Sequence, residues 1–390
     1  MNLKTLHQAV QSAAGLRLRL RLQPLYGEGE IIFPPTYAGG GYLISPRRIP
    51  GYADSVPCAI LDSVQSAANR MEDALAADIR AGKLHLPHAQ TDFTGVPDLP
   101  KSVGVLTTLD VPHRIFDAII RDSELAGTRF PYTDAGKAMV AASAQDATAL
   151  FRYDPTSLLF GSWDSTGVSG GLGEKFTRCV VSELVAVNAV EAKRGAARVD
   201  PLNASRNVPI LRDERNKLEW KLADSEKAKG TVRPAEINHG NIPPSVNEFG
   251  GVTCDYVRQS TSISFPALRQ LRFPAGSGND VDTKAHAVLA AIALHAAALN
   301  VASGWHLRSR CDLVLAEGES ITWEVLGSEP KTVVLSTNDT RVLLQEAIQE
   351  AIDAGLPWEA EPLRLKPSAS LADLVRKSQQ LHRESEGSPS

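Results

Sequence analysis

The chain has 390 residues, of which 43% are hydrophobic, and a formal net charge of −4 at pH 7. This allows a soluble globular protein with one large or two ordinary domains, and it excludes a protein that coats nucleic acid or an anionic membrane over its whole surface. The four cysteines form no CxxC pair, which argues against a zinc ribbon or a disulfide framework, and the polar N-terminus lacks the apolar segment of a secretory signal. We therefore expect a cytoplasmic protein on which any anion-binding surface is local.

The first predicted strand covers residues 16–25 and begins with the sequence LRLRLRL. Successive side chains of a strand point to opposite sides of the sheet. Four leucines therefore share one face, which suits a core, and Arg17, Arg19 and Arg21 share the other. Taken alone, the arginine face is more often a solvated surface than a binding site.

The later elements follow from apolar spacing, valine content and glycine or proline stops. Apolar residues three and four positions apart predict a helix over 55–81, and residues 83–135 have the scattered prolines and glycines of an insertion. Residues 191–251 are rich in Lys, Arg, Asn and Pro and show no apolar period. Further predictions are a strand over 179–190, regular structure over 256–273 with β-leaning segments at 262–265 and 271–273, a helix over 282–304, a strand over 311–316, helices over 340–354 and 370–382, and a disordered tail over 384–390.

This order of elements predicts an α+β fold with an RRM/ferredoxin-like βαββαβ core. Residues 1–330 would form the core with large insertions at about 83–135 and 191–251, and residues 331–390 would form an acidic helical extension. The helices of such a core cover one sheet face and leave the other free. The alanine-rich run 285–302 is interrupted by His286 and His295, which favours a buried helix over a membrane span.

Positive charge is concentrated in two places, the arginine face of strand 16–25 and the polar region from residue 191 to residue 233. Such a polar insertion is about as often plain surface as functional. Together, the two basic segments on an acidic protein suggest a path for a polyanion. Because Trp220 is the only aromatic residue in the basic region, contact with the phosphate backbone is favoured over contact with bases.

Other motifs give weaker indications. Gly170 and Gly171, followed by Lys175 and Arg178, could approach a phosphate, but the segment matches neither the Walker nor the GxGxxG pattern. The histidine pairs 85/88 and 286/295 lack the spacing of metal ligands. His239 lies in a polar, glycine-flanked segment and could serve as a general base in RNA cleavage, although a turn histidine is the commoner explanation.

Several separated segments resemble one family. They are LFGSWDS at 159–165, KFTR at 175–178, SELV at 182–185, DPL at 200–202, PPTY at 34–37 and RPAEINHGN at 233–241. Over about residues 6–327 the chain resembles the RAMP-superfamily backbone subunit of type I CRISPR surveillance complexes, in the seventh Cas family, and most closely the I-G (formerly I-U) variant.

The resemblance implies an RRM-like palm with a finger-like insertion at 83–135 and a thumb-like insertion, an extended hairpin, at 191–251. It implies a non-catalytic protein that has neither a cofactor nor a metal ion. Copies of this protein would stack helically along one CRISPR RNA and present it for pairing with target DNA. The expected partners are other subunits of the CRISPR complex, and no membrane is involved. A guide of variable sequence must be held by its phosphates and 2′-hydroxyls. The expected RNA-binding residues are Arg17, Arg19, Arg21, Tyr37, Arg47, Arg48, Trp163, Gly170, Gly171, Lys175, Arg178, Arg206, Arg212, Arg233, His239, Asn241 and Arg258.

Two alternatives remain open. One is a RAMP endoribonuclease that processes or cleaves RNA, with His239 as the residue to test. The other is an α/β metabolic enzyme that binds a phosphate-bearing ligand through the glycine loops.

Overall fold

The computed structural model describes residues 1–97, 99, 103–165, 173–213, 219–225, 229–247, 249–276, 278 and 280–387. Its helices are α1 Leu3–Ser12, α2 Val64–Arg80, α3 Ala118–Arg121, α4 Asp134–Val140, α5 Thr148–Tyr153, α6 Pro155–Phe160, α7 Phe265–Leu268, α8 Val281–Ala302, α9 Thr337–Asp353 and α10 Ala369–Gly387.

The described residues also form strands, which belong to several sheets. They are β1 Gly15–Pro24, β2 Ile44–Arg47, β3 Val56–Asp62, β4 Ala89–Asp92, β5 Val105–Thr107, β6 Ser123–Leu125, β7 Thr128–Arg129, β8 Ser162–Trp163, β9 Lys175–Phe176, β10 Val180–Val187, β11 Val190–Glu191, β12 Arg194–Arg198, β13 Ile210–Arg212, β14 Trp220–Leu222, β15 Thr231–Val232, β16 Ile242–Asn247, β17 Val252–Thr253, β18 Tyr256–Ser264, β19 Trp305–Arg308, β20 Cys311–Leu315, β21 Trp323–Val325, β22 Lys331–Val333 and β23 Leu363–Pro367. This mixture of helices and mainly antiparallel sheets confirms the predicted α+β class.

The central sheet has the order β19-β20-β1-β18-β10-β3-β2, and its neighbouring strands are antiparallel. Four strands of this sheet and two helices form a repeated pattern along the chain. In chain order they are β1, α2, β10, β18, α8 and β20, that is, strand, helix, strand, strand, helix, strand. When these four strands are numbered in chain order, their order across the sheet is 4-1-3-2, which is the arrangement of a βαββαβ unit. The strand β3 and its neighbour β2 extend the sheet beyond β10.

The strand β1 separates its two kinds of side chain as the sequence predicts. Leu16, Leu18, Leu20 and Leu22 are all buried, in one hydrophobic core with the helices α1, α2 and α8. On the other side of the strand, Arg19 and Arg21 are exposed and Arg17 is half-buried. The buried leucines thus fix the register of β1, because a shift by one residue would place the arginines in the core.

The helix α8 lies at the centre of this core. It is long and apolar enough to cross a membrane, but 83% of its most apolar window is buried inside the protein. Its two histidines face different partners, since His286 hydrogen-bonds the carbonyl oxygen of Leu271 and His295 the hydroxyl of Thr340. The predicted buried helix is confirmed.

Three local predictions are wrong. The predicted helix over 55–81 begins only at Val64, because the buried apolar residues before it form β3 and Ser63 caps the helix by accepting a hydrogen bond from the N–H of Ser66. Of the two β-leaning segments, 262–265 belongs to a strand that ends at Ser264, where the short helix α7 begins, and 271–273 is not a strand. The helix α10 continues to Gly387, within the tail predicted to be disordered; residues 388–390 lie outside the described residues.

The C-terminal part of the chain contributes strands to the central sheet and to a second, five-stranded sheet, and it contributes a helix to the core. The strand β21 pairs with β1, and the helix α9 packs on α8. The strand β23 lies between β4 and β6, in a five-stranded sheet made otherwise from residues 89–129. Residues 363–367 therefore share a sheet with strands from the region predicted to be an insertion.

Residues 188–255, which we call the arm, connect β10 to β18. The strand pairs β11–β17 and β12–β16 lead away from the sheet to a small sheet of order β14-β13-β15. At the base of the arm, Ile32 pairs with Val252 in a β-bridge, and the N–H of Gly251 donates to the hydroxyl of Tyr42 over 2.9 Å. The prolines and glycines before β2 thus form a loop that supports the arm.

Candidate nucleic-acid interface

The sheet face opposite the helices, which we call the open face, carries the arginines of β1 and polar side chains of β18. Strand register places Arg17, Arg19 and Arg21 opposite Ser262, Ser260 and Arg258 respectively. The next strand, β10, adds Glu183 beside Ser260. This face therefore presents four arginines on two adjacent strands.

The far end of the same face is covered, contrary to the expectation of a free face. Ile49 packs there against Cys58 and Ile60 of β3 and Val185 and Val187 of β10. This small apolar cluster limits the accessible surface to β1, β18 and the adjoining part of β10.

Arg17 and Arg19 share a carboxylate from the C-terminal part of the chain. The Nε of Arg17 donates to Oε2 of Glu324 over 2.6 Å, and Nη2 of Arg19 lies 3.4 Å from Oε1. The contact follows from strand pairing, because Glu324 lies opposite Arg17 in the β1–β21 register. The hydrogen bond from Arg17 lowers the pKa of Glu324, so the carboxylate is charged at neutral pH.

Arg47 is also paired. Its Nη1 and Nη2 donate to the two carboxylate oxygens of Glu183 over 2.6 and 3.0 Å, which connects β2 to β10 across β3. The adjacent Arg48 is exposed. Of these two predicted RNA contacts, only Arg48 is accessible without breaking a bidentate ion pair.

Arg21 and Arg258 differ from the other open-face arginines. They lie directly opposite each other on β1 and β18, and in the described part of the chain neither has a carboxylate within 4.0 Å. The guanidinium of Arg21 lies 4.3 Å from the ring centroid of Tyr256, and Nε of Arg258 is buried without a hydrogen-bond partner. Two opposed positive charges of this kind repel each other and favour a bound anion.

The acid that lies near this pair has another partner. Asp255 accepts a hydrogen bond of 2.6 Å from the hydroxyl of Tyr52, which raises the pKa of Tyr52 to about 12. It also accepts from the side-chain amide of Asn188. Asp255 is thus held by Tyr52 and Asn188, and it forms no ion pair with Arg21 or Arg258 in the described part of the chain.

Trp163 and Lys175 lie opposite each other on the hairpin β8–β9. The Nζ of Lys175 is 5.6 Å from the ring centroid of Trp163, whose side chain is 44% exposed. A partly exposed aromatic ring beside a lysine suits nucleobase stacking. Gly170 and Gly171, also predicted contacts, lie outside the described residues.

Arg178 lies within electrostatic range of a buried charge cluster formed by Glu72, Arg114 and Asp154. Glu72 is held by a bidentate hydrogen bond from Arg114, and Asp154 by the hydroxyls at positions 156 and 157. Burial and the charge of Arg114 lower the pKa of Arg178, whose Nη1 has no hydrogen-bond partner. This predicted site residue is therefore half-buried beside the charge cluster.

The arm brings together two of the sequence segments that carry the family resemblance. The carboxylate of Asp200 accepts hydrogen bonds from the N–H groups of Leu202, Ala204 and Gly240, which lower its pKa. In return, Oδ1 of Asn241 accepts from the N–H of Asp200. The side chain of Asn241, a predicted RNA contact, is thus used to hold the two segments together.

Near these segments, the His239 ring lies 5.9 Å from the ring of Trp220, which is 45% exposed. Arg212 lies opposite Trp220 in the β13–β14 register. Arg206 and Arg233 are exposed on the same arm, and Tyr37 is exposed in the loop at its base. The predicted contacts are thus divided between the open face, the β8–β9 hairpin and the arm.

No group of three or more metal-ligating side chains occurs among the residues that the structure describes. The four cysteines are free and buried. The electrostatic environment of Asp200 includes His239, but the Asp200 carboxylate is already engaged by backbone N–H groups. The chemistry that this arrangement supports is electrostatic and stacking contact with an anionic chain.

Sequence reasoning did not identify the acidic partners Glu183 and Glu324 or the aromatic partner Tyr256. Glu183 lies within the quoted SELV segment, where the alternation of β10 could have placed it on the arginine side. Glu324 is more than 300 positions from Arg17, and no local pattern connects the two residues.

The family comparison adds to this geometry. Residues 16–191 match the family model of the CRISPR-associated protein GSU0053. The match supports a Cas family protein. The match begins at the leucine–arginine strand β1, ends at β11 at the start of the arm, and covers less than half of the chain. Similarity to this CRISPR-associated family supports a role in CRISPR defence. No curated protein matches the chain.

Proposed function

We propose that this chain is a Cas family protein, and specifically a non-catalytic, CRISPR RNA-binding backbone subunit of the RAMP superfamily, of the type I-G variant. In this proposal, copies of the chain stack along one guide RNA in the cytoplasm, present it for pairing with target DNA and contact other subunits of the complex.

The observation that carries the proposal is the pair Arg21 and Arg258 on the open face. The two guanidinium groups lie on adjacent strands of a rigid sheet and have no carboxylate partner within ion-pair distance in the described part of the chain. A phosphate between them would relieve their mutual repulsion and satisfy the buried Nε of Arg258. Such a contact is independent of base identity, as a variable guide requires.

The test compares the wild-type chain with Arg21→Ala, Arg258→Ala and the double variant. Fluorescence anisotropy with two unrelated 12-nucleotide RNAs, over a range of salt concentrations, gives the affinity and its salt dependence. We expect each single variant to weaken binding of both RNAs alike and to reduce the salt slope by about 0.7 for each lost phosphate contact. Arg364→Ala removes an equally charged side chain that is 69% exposed on the five-stranded sheet, and it should leave binding unchanged.

Copurification provides a second test. The chain expressed with a guide RNA should elute as a ribonucleoprotein with a mass of several copies. A protein that remains monomeric and free of nucleic acid at low salt would refute the proposal. RNA cleavage that His239→Ala abolishes while binding persists would replace it with an endoribonuclease.

A further inference from the structure

The carboxylate of Glu324 is fixed where a phosphate on β1 would have to bind. It receives the Nε–H of Arg17 over 2.6 Å and lies 3.4 Å from Nη2 of Arg19, while its side chain remains 28% exposed. The neighbouring Trp323 is buried in the core at 1% exposure and anchors β21 against β1. The position of Glu324 is therefore set by strand pairing and core packing.

We propose that Glu324 is a specificity-determining residue of the open face, an internal anion that occupies Arg17 and Arg19 until a longer polyanion replaces it. This inference rests on the proposed RNA-binding function. A carboxylate and a phosphate use the same guanidinium N–H donors. Binding of a phosphate at Arg17 or Arg19 must therefore displace Glu324, whereas binding at Arg21 and Arg258 requires no such exchange.

The spacing along β1 makes this exchange dependent on ligand length. Arg17 and Arg21 are four residues apart, which is about 13 Å along a strand. A short anion bound at Arg21 does not reach Glu324. A short anion at Arg17 competes with the Glu324 carboxylate without being held at a second site. A chain of phosphates already held at Arg21 and Arg258 reaches Arg17 with a high effective concentration and can displace Glu324.

The test compares Glu324→Gln with Glu319→Gln, which removes the same charge from an exposed position on the same segment. The probes are a 12-nucleotide oligouridylate and uridine monophosphate. Because the 12-mer no longer has to break two partly exposed ion pairs, it should bind Glu324→Gln about 2- to 30-fold more tightly than wild type. At Arg17 and Arg19, uridine monophosphate should gain a larger factor than the 12-mer, so that discrimination against it falls in Glu324→Gln; unchanged discrimination would refute the inference, and Glu319→Gln should behave as wild type.

A second measurement requires no RNA. Phenylglyoxal modifies accessible guanidinium groups, and peptide mass spectrometry reports the rate for each arginine. Arg17 and Arg19 should be modified faster in Glu324→Gln than in wild type or in Glu319→Gln, whereas Arg21 should be modified equally in all three.

The outcomes separate the two proposals. If wild type binds the 12-mer and Glu324→Gln binds it equally or more weakly, the inference is refuted and the RNA-binding function stands. If none of the variants binds RNA, the proposed function fails and the role of Glu324 in RNA specificity fails with it. Unchanged modification of Arg17 and Arg19 in Glu324→Gln also refutes the inference.

Discussion

The buried ion pair between Glu72 and Arg114 permits a quantitative prediction. The Nε and Nη2 of Arg114 donate to the two oxygens of Glu72 over 2.6 and 2.7 Å, and the side chains are 6% and 3% exposed. Nη1 of Arg114 also donates to the carbonyl oxygen of Gly161 over 2.8 Å. Burial raises the pKa of Glu72 to about 7, while the hydrogen bonds and charge of Arg114 oppose this rise.

Arg114→Met should remove that opposition and raise the pKa of Glu72 further. Because the folded-state pKa exceeds the unfolded value of about 4.3, the stability associated with Glu72 is fully present below pH 4.3 and is lost as pH rises. In wild type this loss ends near pH 7, whereas in Arg114→Met it continues above pH 7. The difference in unfolding free energy should therefore widen by about 1.4 kcal/mol per pH unit above pH 7, toward the roughly 3–5 kcal/mol typical of a broken buried pair.

Urea unfolding followed by circular dichroism at pH 6, 7, 8 and 9 measures this difference. The control is Arg80→Met, whose side chain is 61% exposed and lies 3.6 Å from Asp110. Removal of this surface pair should cost no more than about 1 kcal/mol at every pH. A difference between wild type and Arg114→Met that stays constant from pH 6 to pH 9, or stays below about 1 kcal/mol at pH 9, would refute the reasoning.

Two further predictions concern the core. Burial lowers the pKa of His295 to about 4, so its NMR signals should not titrate between pH 7.5 and pH 5. The contribution of the neutral His295 to the free energy of unfolding is complete above its unfolded pKa of about 6.5. It is lost as the pH falls toward 4, by about 1.4 kcal/mol per pH unit. Titration of His295 near pH 6.5 would contradict its burial beside Thr340. Leu18→Ala, at a fully buried position of β1, should lower the free energy of unfolding by about 2–5 kcal/mol in urea titrations, and a loss below 1 kcal/mol would show that the leucine face is not a core face.

The sequence predicted the elements that have a strong period of their own. The alternation of leucine and arginine in β1 and the apolar run of α8 predicted the secondary structure and the buried residues of these two segments. The order of the elements predicted the βαββαβ arrangement. The helix predicted over 55–81 shows where this approach fails. A short buried strand and the start of an amphipathic helix are both apolar, and only Ser63, as the helix N-cap, marks the boundary between them.

For the ion pairs of the candidate site, the sequence predicted the arginines but not their acidic partners. The arginines of β1 follow from a two-residue period, but their acidic partner comes from a three-residue strand, β21, near the other end of the chain. Pairing between such distant segments depends on the whole fold. The sequence therefore predicted where positive charge is concentrated, and the structure was needed to show which arginines are neutralised.

The central position of β1 also determines how its arginines can respond to a ligand. One edge of β1 pairs with β18, and the other edge pairs with β21 and β20. With both edges paired and the leucine face buried, the Cα atoms of Arg17, Arg19 and Arg21 are fixed at intervals of about 6.6 Å. Only the side chains remain free to exchange partners. A binding event at this strand therefore changes ion pairs and not backbone register, and this is why the choice between Glu324 and a phosphate can set affinity without any rearrangement of the sheet.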